Sequence, residues 1–347
     1  MSLKGEITLS TKVFGIDLGT NNIKIYREKK GVIVTQKNIL AMNHENEIIA
    51  YGDDAFEMYE KAPENITVTF PMKNGVIADF SDMQDLLHLF VTNSSKRPVG
   101  GNKEFYIAVP SNITEVEKRA FLDLIESSRL RSKHVHIVEK PLADAVGIGL
   151  DVKGPTGIML VDIGGQTTEI SVMSLGGIVI SKLVQIGGNK FDEDIMLAVK
   201  KEKNVVIGLK TAEECKNQLA DAKPGSTGSI KVMGRDLLTG LPAQVEVDAQ
   251  TVYDAIKEDI YAIMDAIKII LERTPPEISS DIIDSGIYVT GGCSKIQNLN
   301  QVILEETDLP GNFFEHPENT VIQGLGKIIE EDDLKDLAFA MSQPSYE

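Results

Sequence analysis

The chain has 347 residues, 42% of them apolar, and its 52 acidic against 35 basic side chains leave a net charge of −17. That length calls for two or more packed units, and the acidic balance excludes a nucleic-acid binder, whose footprint is basic, and simple electrostatic adsorption to anionic lipid. Two cysteines without a CxxC pair exclude a disulfide framework and a structural zinc site, and with no apolar leader and no spanning run of about 18 apolar residues the expected compartment is the cytosol.

Val13-Phe-Gly-Ile-Asp17 predicts a short strand, Leu18-Gly-Thr-Asn-Asn22 a tight turn and Ile23-Lys-Ile-Tyr26 a second strand. Gly31-Val-Ile-Val-Thr35 extends this hairpin into a meander. Asp53 to Lys61 has the spacing of a short helix that stops before Pro63. Asp79 to Thr92 predicts a longer helix with Phe80, Met83, Leu86, Leu87 and Phe90 on one face. Asn93 to Lys103 is polar and holds Pro98, Gly100 and Gly101, so it reads as a loop. Phe105 to Pro110 predicts a strand, and Thr114-Glu-Val-Glu117 a capping box that opens a helix reaching to about Ser128. His136 to Val138 reads as a strand, and Pro141 to Leu150 begins a helix.

The opening pattern then returns. Gly157-Ile-Met-Leu-Val-Asp162 is an apolar strand ending in an aspartate, Ile163-Gly-Gly-Gln-Thr-Thr168 a turn, and Glu169-Ile-Ser-Val-Met173 the next strand, followed by Gly177-Ile-Val-Ile-Ser181. Asp17 and Asp162 stand about 145 residues apart, too long a period for a solenoid, so the plan reads as a duplicated domain. After Gly188 the pattern is helical. Pro224 to Gln244, built around Ser229 to Met233, predicts a hairpin excursion. Thr251 to Arg273 predicts a long helix with Val252, Ile256, Ile260, Ile263, Ile267 and Ile270 in register, ended by Pro275 and Pro276. Ile282 to Val289 is apolar and runs into Thr290-Gly-Gly-Cys-Ser294. Thr320 to Ile329 predicts the last helix, and the acid-rich stretch from Glu330 to Asp336 reads as solvated.

A turn rich in Gly and Thr presents backbone N–H groups and hydroxyls to one point, which is how a nest holds phosphate oxygens. An aspartate at the end of the preceding strand suits Mg²⁺, which prefers few protein carboxylates together with water and phosphate. One such hairpin is ordinarily just a turn, but two at matching positions in two halves point to a clamp on one polyphosphate. The Thr290–Ser294 loop would seat a base or ribose where only glycine lets backbone approach. Gly324-Leu-Gly-Lys327 lacks the spacing of a P-loop. Glu213 and Lys216, three apart on a predicted helix, read by themselves as a surface pair.

The quoted segments resemble the MreB/Mbl family of bacterial actins, within the actin/heat-shock-chaperone/sugar-kinase superfamily, from about Phe14 to Ile329. The resemblance rests on GIDLGTNN, FPMKNGVIADF (70–80), VPSNITEVEKRA (109–120), VEKPLADAVGIGL (138–150), LVDIGGQTTEISVMSLGGIV, IGGNKFDEDI, IGLKTAEECK, TPPEISSDIIDSGIYVTGGCS and the final GLGK. It implies an α/β actin-like ATPase fold: two duplicated α/β lobes, each with a small subdomain, and a nucleotide cleft between them. The implied subdomains are 1–34 with 74–155 and 316–347, 35–73, 156–192 with 257–315, and 193–256.

The resemblance further implies ATP or ADP with Mg²⁺ as ligands. Gly19, Thr20 and Asn21 would form the first phosphate loop, with Asp17 near the metal. Gly164, Gly165, Gln166, Thr167 and Thr168 would form the second, with Asp162 again near the metal. Gly188 would also contact nucleotide, Glu213 and Lys216 would approach the ribose, which reverses the surface-pair reading, and Gly291 and Gly292 would flank the adenine. The implied function is a filament of paired protofilaments, cytoplasmic or peripheral at the inner membrane face, that organises cell shape and cell-wall synthesis.

Four departures from the family pattern cluster at this site: Lys140 in place of the second Glu of Glu-Glu-Pro, Gln166 for the third Gly of the second loop, Ile23 for a Thr, and Cys293 for the last Gly of the third loop. Lys140 stands where the family activates water, so the expectation is preserved nucleotide binding with slow hydrolysis. Glu139, Gln166 and Thr167 are the remaining catalytic candidates. A pseudo-ATPase scaffold and a small-molecule kinase are the alternatives; the kinase would need an acid such as Asp144, which reads as a solvent-facing helix residue. A chaperone is a weaker alternative still. Docking to lipid would use Asn93 to Asn102, where Val99 is the one large apolar residue, helped by Lys4, Lys12, Lys96 and Arg97; that predicts weak membrane affinity.

Overall fold

The computed structural model describes residues 11–94, 102–130 and 132–339. The proposed lipid-docking residues Lys4, Lys96, Arg97 and Val99 lie outside them. The chain divides into two compact units, one formed by residues up to Leu150 together with those from Val321 on, the other by Asp151–Thr320.

The first unit opens with β1 (Lys12–Leu18), β2 (Asn22–Arg27) and β3 (Gly31–Lys37), an antiparallel meander as predicted. A small sheet follows, from β4 (Leu40–Asn43), β5 (Ile48–Tyr51) and β6 (Ile66–Thr69), with α1 (Asp53–Met58) against it around Ile39, Ala41 and Ala55. A two-stranded turn, β7 (Met72–Lys73) and β8 (Val76–Ile77), leads to α2 (Phe80–Asn93). The Asp79 side chain caps α2 by accepting from Asp82 N at 2.9 Å. Met83, Leu86, Leu87 and Phe90 enter the core, but Phe80, expected on the same face, is 39% exposed. It is the first helical residue, where the apolar stripe has not yet reached the sheet.

Next come β9 (Lys103–Val109), α3 (Glu115–Glu126), β10 (Ser132–Glu139) and α4 (Lys140–Gly147). The capping box is formed: Glu117 N donates to Thr114 Oγ1 at 3.2 Å and Thr114 N to the Glu117 carboxylate at 2.7 Å. β9 runs parallel to both β1 and β10, so the helices between these strands cross over the sheet.

The second unit repeats the plan. β11 (Ile158–Ile163), β12 (Thr168–Ser174) and β13 (Gly177–Val184) form an antiparallel meander. Then follow α5 (Gly188–Lys203), β14 (Val205–Val206), α6 (Leu209–Leu219) and the predicted hairpin β15 (Ser229–Asp236) with β16 (Pro242–Asp248). α7 (Ala249–Arg273) carries all six in-register residues from Val252 to Ile270 buried in one core with α5 and the sheet. α8 (Pro276–Ser285) was not expected, because Pro276 had been read only as a stop. β17 (Ile287–Thr290) pairs parallel to β11, a 3₁₀ turn spans Gly292–Lys295, and α9 (Leu299–Thr307) and β18 (Gly311–Phe313) complete a five-stranded sheet in the order β13-β12-β11-β17-β18.

The chain then returns to the first unit through α10 (Thr320–Glu330). A Cβ on Gly324 would stand 1.6 Å from Ala143 O, so only glycine lets α10 and α4 meet backbone to backbone. Lys327 Nζ donates to Val146 O at 2.9 Å, satisfying a carbonyl at the end of α4. The acid-rich stretch beyond, 330–336, is exposed apart from half-buried Leu334, as expected. A 3₁₀ turn, Asp332–Leu337, buries Leu337, and β19 (Ala338–Phe339) pairs antiparallel with Ile137 and Val138 of β10. This closes a six-stranded sheet, β19-β10-β9-β1-β2-β3. Among the described residues no helix is long and apolar enough to cross a membrane.

Candidate functional site

In the first unit, Asp17 lies one residue before the end of β1 and is buried beside the turn Gly19–Asn21. The turn is held by a residue the sequence reading missed, Asn38, which follows β3 and is fully buried. Asn38 Nδ2 donates to Gly19 O and Asn38 N to Asn21 O, both at 2.9 Å. Gly75 N donates to Thr20 Oγ1 at 3.3 Å. Lys24 also escaped notice as a site residue: its Nζ lies 3.5 Å from Asp17 Oδ2. Asn38 Oδ1 is buried with no hydrogen-bond donor among the described residues, an acceptor suited to the water of a hydrated ion.

In the same unit, Glu139 is the last residue of β10 and Lys140 the first of α4, both half-buried. Burial raises the Glu139 carboxyl above the usual carboxylate range, against a smaller opposing pull from Lys118 on α3. Asp144 is not solvent-facing as expected but 1% exposed. It lies on the inner face of α4, all of whose residues from Pro141 to Val146 are buried.

In the second unit, Asp162 is buried near the end of β11, and Gly164 N closes the following turn onto Thr167 O at 2.9 Å. Thr168 opens β12 and donates from Oγ1 to Ile186 O at 2.8 Å. The first turn of α5 docks on this loop: Gly188 N donates to Gly164 O at 3.0 Å and Asn189 N to Gly165 O at 2.7 Å. Gly165, Gln166 and Thr167 form the half-buried tip.

Lys216 is no surface residue. Its Nζ donates to Gly188 O at 2.9 Å and to Asp192 Oδ2 at 2.8 Å, with the two side chains 10% and 4% exposed. Glu213, one turn earlier on α6, is half-buried. Cys293 Sγ lies 3.5 Å from Gly164 O, and burial pushes its thiol up to about 11, with Lys216, Asp192, Asp162 and Glu213 all close enough to act on it. Gly291 has a φ of +81°, and a Cβ there would stand 2.3 Å from both Asp162 Oδ1 and Ile163 O. The third loop is thus laid directly against the candidate metal residue, while Gly292 beside it is exposed. The structure brings together Asp162, Gly164, Gly165, Gly188, Glu213, Lys216 and Gly291, and adds Asp192 to them. Asp192 sits one turn after Gly188, on the inner face of α5; that spacing was the one signal of it in the sequence.

Each unit therefore carries a buried aspartate one residue before the end of an apolar strand and follows that strand with a turn rich in glycine and threonine. Among the described residues no three metal-ligating side chains converge. The donor set fits an ion that arrives with phosphate and water rather than one held in a protein cage.

Comparison with known proteins agrees. A protein-family model described as MreB/Mbl protein matches residues 11–336. Cell shape-determining protein Mbl of Bacillus subtilis (strain 168) is 37% identical over 321 residues, covering 92% of this chain and 96% of that protein. Cell shape-determining protein MreB of Escherichia coli (strain K12) is 37% identical over 329 residues, covering 92% and 93%. The crystal structure of MreB5 of Spiroplasma citri bound to ADP superposes with a TM-score of 0.87 at 32% identity, covering 94% of this chain and 98% of that one. The MamK double helical filament, at 22% identity and a TM-score of 0.77, covers 93% and 99% and shares the fold. With a family match over nearly its whole length, relatives above a third identical and a mixed α/β architecture of the actin-like kind, the chain belongs to the MreB/Mbl family.

Proposed function

We propose that the chain is an ATP-binding cytoskeletal protein that polymerises into actin-like filaments of paired protofilaments and serves cell shape and cell-wall synthesis. The observation that carries this is the duplicated hairpin: a buried strand-end aspartate, Asp17 or Asp162, before a turn of Gly and Thr. The Spiroplasma citri relative binds ADP and, in a second structure, AMPPNP, which supports the same ligand class here. Gly19, Thr20 and Asn21 take phosphate oxygens from the first hairpin, and Gly164 to Thr168 from the second. Lys216 and Glu213 take the ribose, held in place through Gly188 and Asp192, and Gly291 and Gly292 flank the adenine. Mg²⁺, when bound, offsets phosphate charge, with Asp17 and Asp162 its nearest carboxylates. The chain acts in the cytoplasm, with weak membrane affinity of its own.

Hydrolysis is slow in this reading. A positioned general base contributes ~10²–10⁴ in rate, and the ammonium of Lys140 cannot take a proton from water. Glu139, whose carboxyl burial holds above its usual range, is the alternative base. Sedimentation with ATP and Mg²⁺ tests the filament: protein that stays in the supernatant at every nucleotide condition removes it. Single-turnover phosphate release tests the chemistry. Lys140→Glu is expected to release phosphate faster than the wild type, and a wild type that is equal or faster removes the slow-hydrolysis reading.

A further inference from the structure

The second unit carries an apolar surface that its own core does not use, at the tip of the β15–β16 hairpin. Along β15 the period of two sends Val232 into the core and leaves Met233 and Arg235 exposed on the outer face, across from Gln244 and Pro242. At the tip this alternation stops. Leu237, Leu238 and Leu241 are all exposed, Leu238 by 85% and Leu241 by 64%. A single exposed leucine is ordinary, but Met233 and three leucines on one hairpin end form a patch.

The tip is built to leave water. Asp236 Oδ1 accepts from Leu238 N at 2.9 Å, Thr239 N at 2.7 Å and Thr239 Oγ1 at 2.9 Å. Asp236 N donates to Leu241 O at 3.0 Å, Gly240 N to Asp236 O at 2.9 Å and Leu237 N to Asn204 O at 2.9 Å. Leu241 N donates to Thr239 Oγ1 at 3.4 Å. Every backbone donor from Asp236 to Leu241 is thus engaged, and Pro242 has no N–H to satisfy. Unpaired backbone groups are what ordinarily keep a loop out of an apolar phase.

The surroundings of the tip give the chemistry of its partner. The bond from Leu237 N to Asn204 O, and the pairing of Val205 and Val206 with Asp236 and Arg235, set the end of α5 against the neck of the hairpin. The last turn of α5 carries Lys200, Lys201 and Lys203, all exposed; Lys203 Nζ lies 3.9 Å from Asp248. Together with Arg235 these bases outnumber the acids of the same two segments, Glu202 and Asp236, in a chain where acids outnumber bases 52 to 35. Leucines projecting beyond a basic neck match an anionic bilayer, whose acyl chains receive the one and whose headgroups receive the other.

We infer that the β15–β16 tip docks on a bilayer containing anionic phospholipid, with Leu238 and Leu241 entering the acyl boundary and Lys200, Lys201 and Arg235 meeting the headgroups. The inference rests on the weak membrane affinity of the reading above and gives it a place in the fold. Net charge opposes approach to such a surface, so docking needs both the apolar wedge and its local cations. One tip binds weakly, and a polymer multiplies it.

The test is flotation of the full chain, with and without ATP, on phosphatidylcholine vesicles made with and without phosphatidylglycerol. Thermal melting confirms that each variant folds. Wild type should float best with phosphatidylglycerol present. There Leu238→Ser/Leu241→Ser should bind at least about tenfold more weakly, and Lys200→Gln/Lys201→Gln about tenfold more weakly. The chain has no tryptophan, so Leu238→Trp is a single reporter. Its emission should move to shorter wavelength when phosphatidylglycerol vesicles are added, while that of Val116→Trp, at an exposed site on α3, should not. Equal flotation of wild type and the leucine variant overturns the inference, as does an equal emission shift at Val116. A leucine variant that floats as wild type does but no longer sediments with ATP assigns the tip to a contact between copies, and also overturns it. Wild type that floats with neither vesicle in either nucleotide condition removes the membrane reading and the inference with it, a result distinct from a failure at the tip alone.

Discussion

Gly291 and Gly292 stand side by side in the third loop, yet alanine at the two positions should have opposite consequences. At Gly291 the backbone is left-handed, which costs an L side chain roughly 1–2 kcal/mol. The added methyl would also lie 2.3 Å from Asp162 Oδ1 and Ile163 O and 2.6 Å from Ile163 C. Two of those atoms are backbone of the central strand, so relief requires moving the loop, and overpacking of this kind costs about 1–3 kcal/mol. Together these give roughly 2–5 kcal/mol. At about 2–4 °C per kcal/mol for a unit the size of Asp151–Thr320, Gly291→Ala should lower its melting temperature by ~5–15 °C. At Gly292 no atom lies within 4 Å of an added Cβ, and the residue is exposed at the start of a 3₁₀ turn. Gly292→Ala should leave stability within about 0.5 kcal/mol of wild type. Differential scanning calorimetry of the three proteins, followed by ADP titration of those that fold, separates the roles. Gly292→Ala should keep its melting point and lose affinity where its methyl meets the base. A Gly291→Ala protein that melts within a degree or two of wild type would refute the claim that the loop is pressed against Asp162.

Lys216→Met should lower stability by roughly 3–5 kcal/mol, because it leaves Asp192 charged and buried, and adding Asp192→Asn should recover most of the loss; a single variant as stable as wild type by urea denaturation contradicts this. Burial and the neighbouring Asp194 push the Asp259 carboxyl up to about 6 from 3.8, against the pull of Lys190. Folding therefore favours the protonated acid, so wild type gains stability as pH falls from above 6 towards 4 and loses it as pH rises through 6. Asp259→Asn should be the more stable protein at pH 7.5, by up to about 1 kcal/mol after solvent screening, with the difference closing near pH 4; equal melting points at pH 7.5 would contradict it. Thr114→Ala removes one arm of the capping box on α3 and should cost about 1 kcal/mol, read as a fall of a few degrees in melting temperature.

What was legible in the sequence was what short-range periodicity and turn chemistry encode. The six isoleucine and valine positions of α7 are spaced for one helix face and are all buried, and the Thr114–Glu117 box was written in four consecutive letters. Both hairpins were visible because a tight turn demands particular residues. α8 was missed for a physical reason: Pro276 lacks an N–H that the first turn of a helix does not use, so the residue that stops α7 also suits the start of its successor. β18 and β19 are three and two residues long, and no alternation can be seen at that length. The site suffered differently. The pair of Lys216 with Asp192 joins two helices 24 positions apart, and no local pattern announces it. Lys24 and Asn38 reach the first turn only once the strands are paired, which sets Lys24 opposite Asp17 and brings Asn38 against Gly19 and Asn21. Asp144 was misread because α4 is buried nearly all round and has no polar face to show.

The backbone contact between Gly324 and Ala143 has a consequence in time. One unit is a single uninterrupted stretch, so everything it packs together leaves the ribosome in one piece. The other is split: its sheet and first helices emerge early, but the helix that lies against Gly15, Tyr26 and Ala143 and the edge strand that pairs with Ile137 are made only after the whole of the second unit. Until then the N-terminal half carries an open apolar face and an unpaired strand, the kind of surface on which chains aggregate. Synthesis thus reverses the usual order. The unit translated second can complete itself first, and the unit translated first stays unfinished until the closing helix arrives. The closure links residues some 180 positions apart, which makes it slow by the cost of its loop.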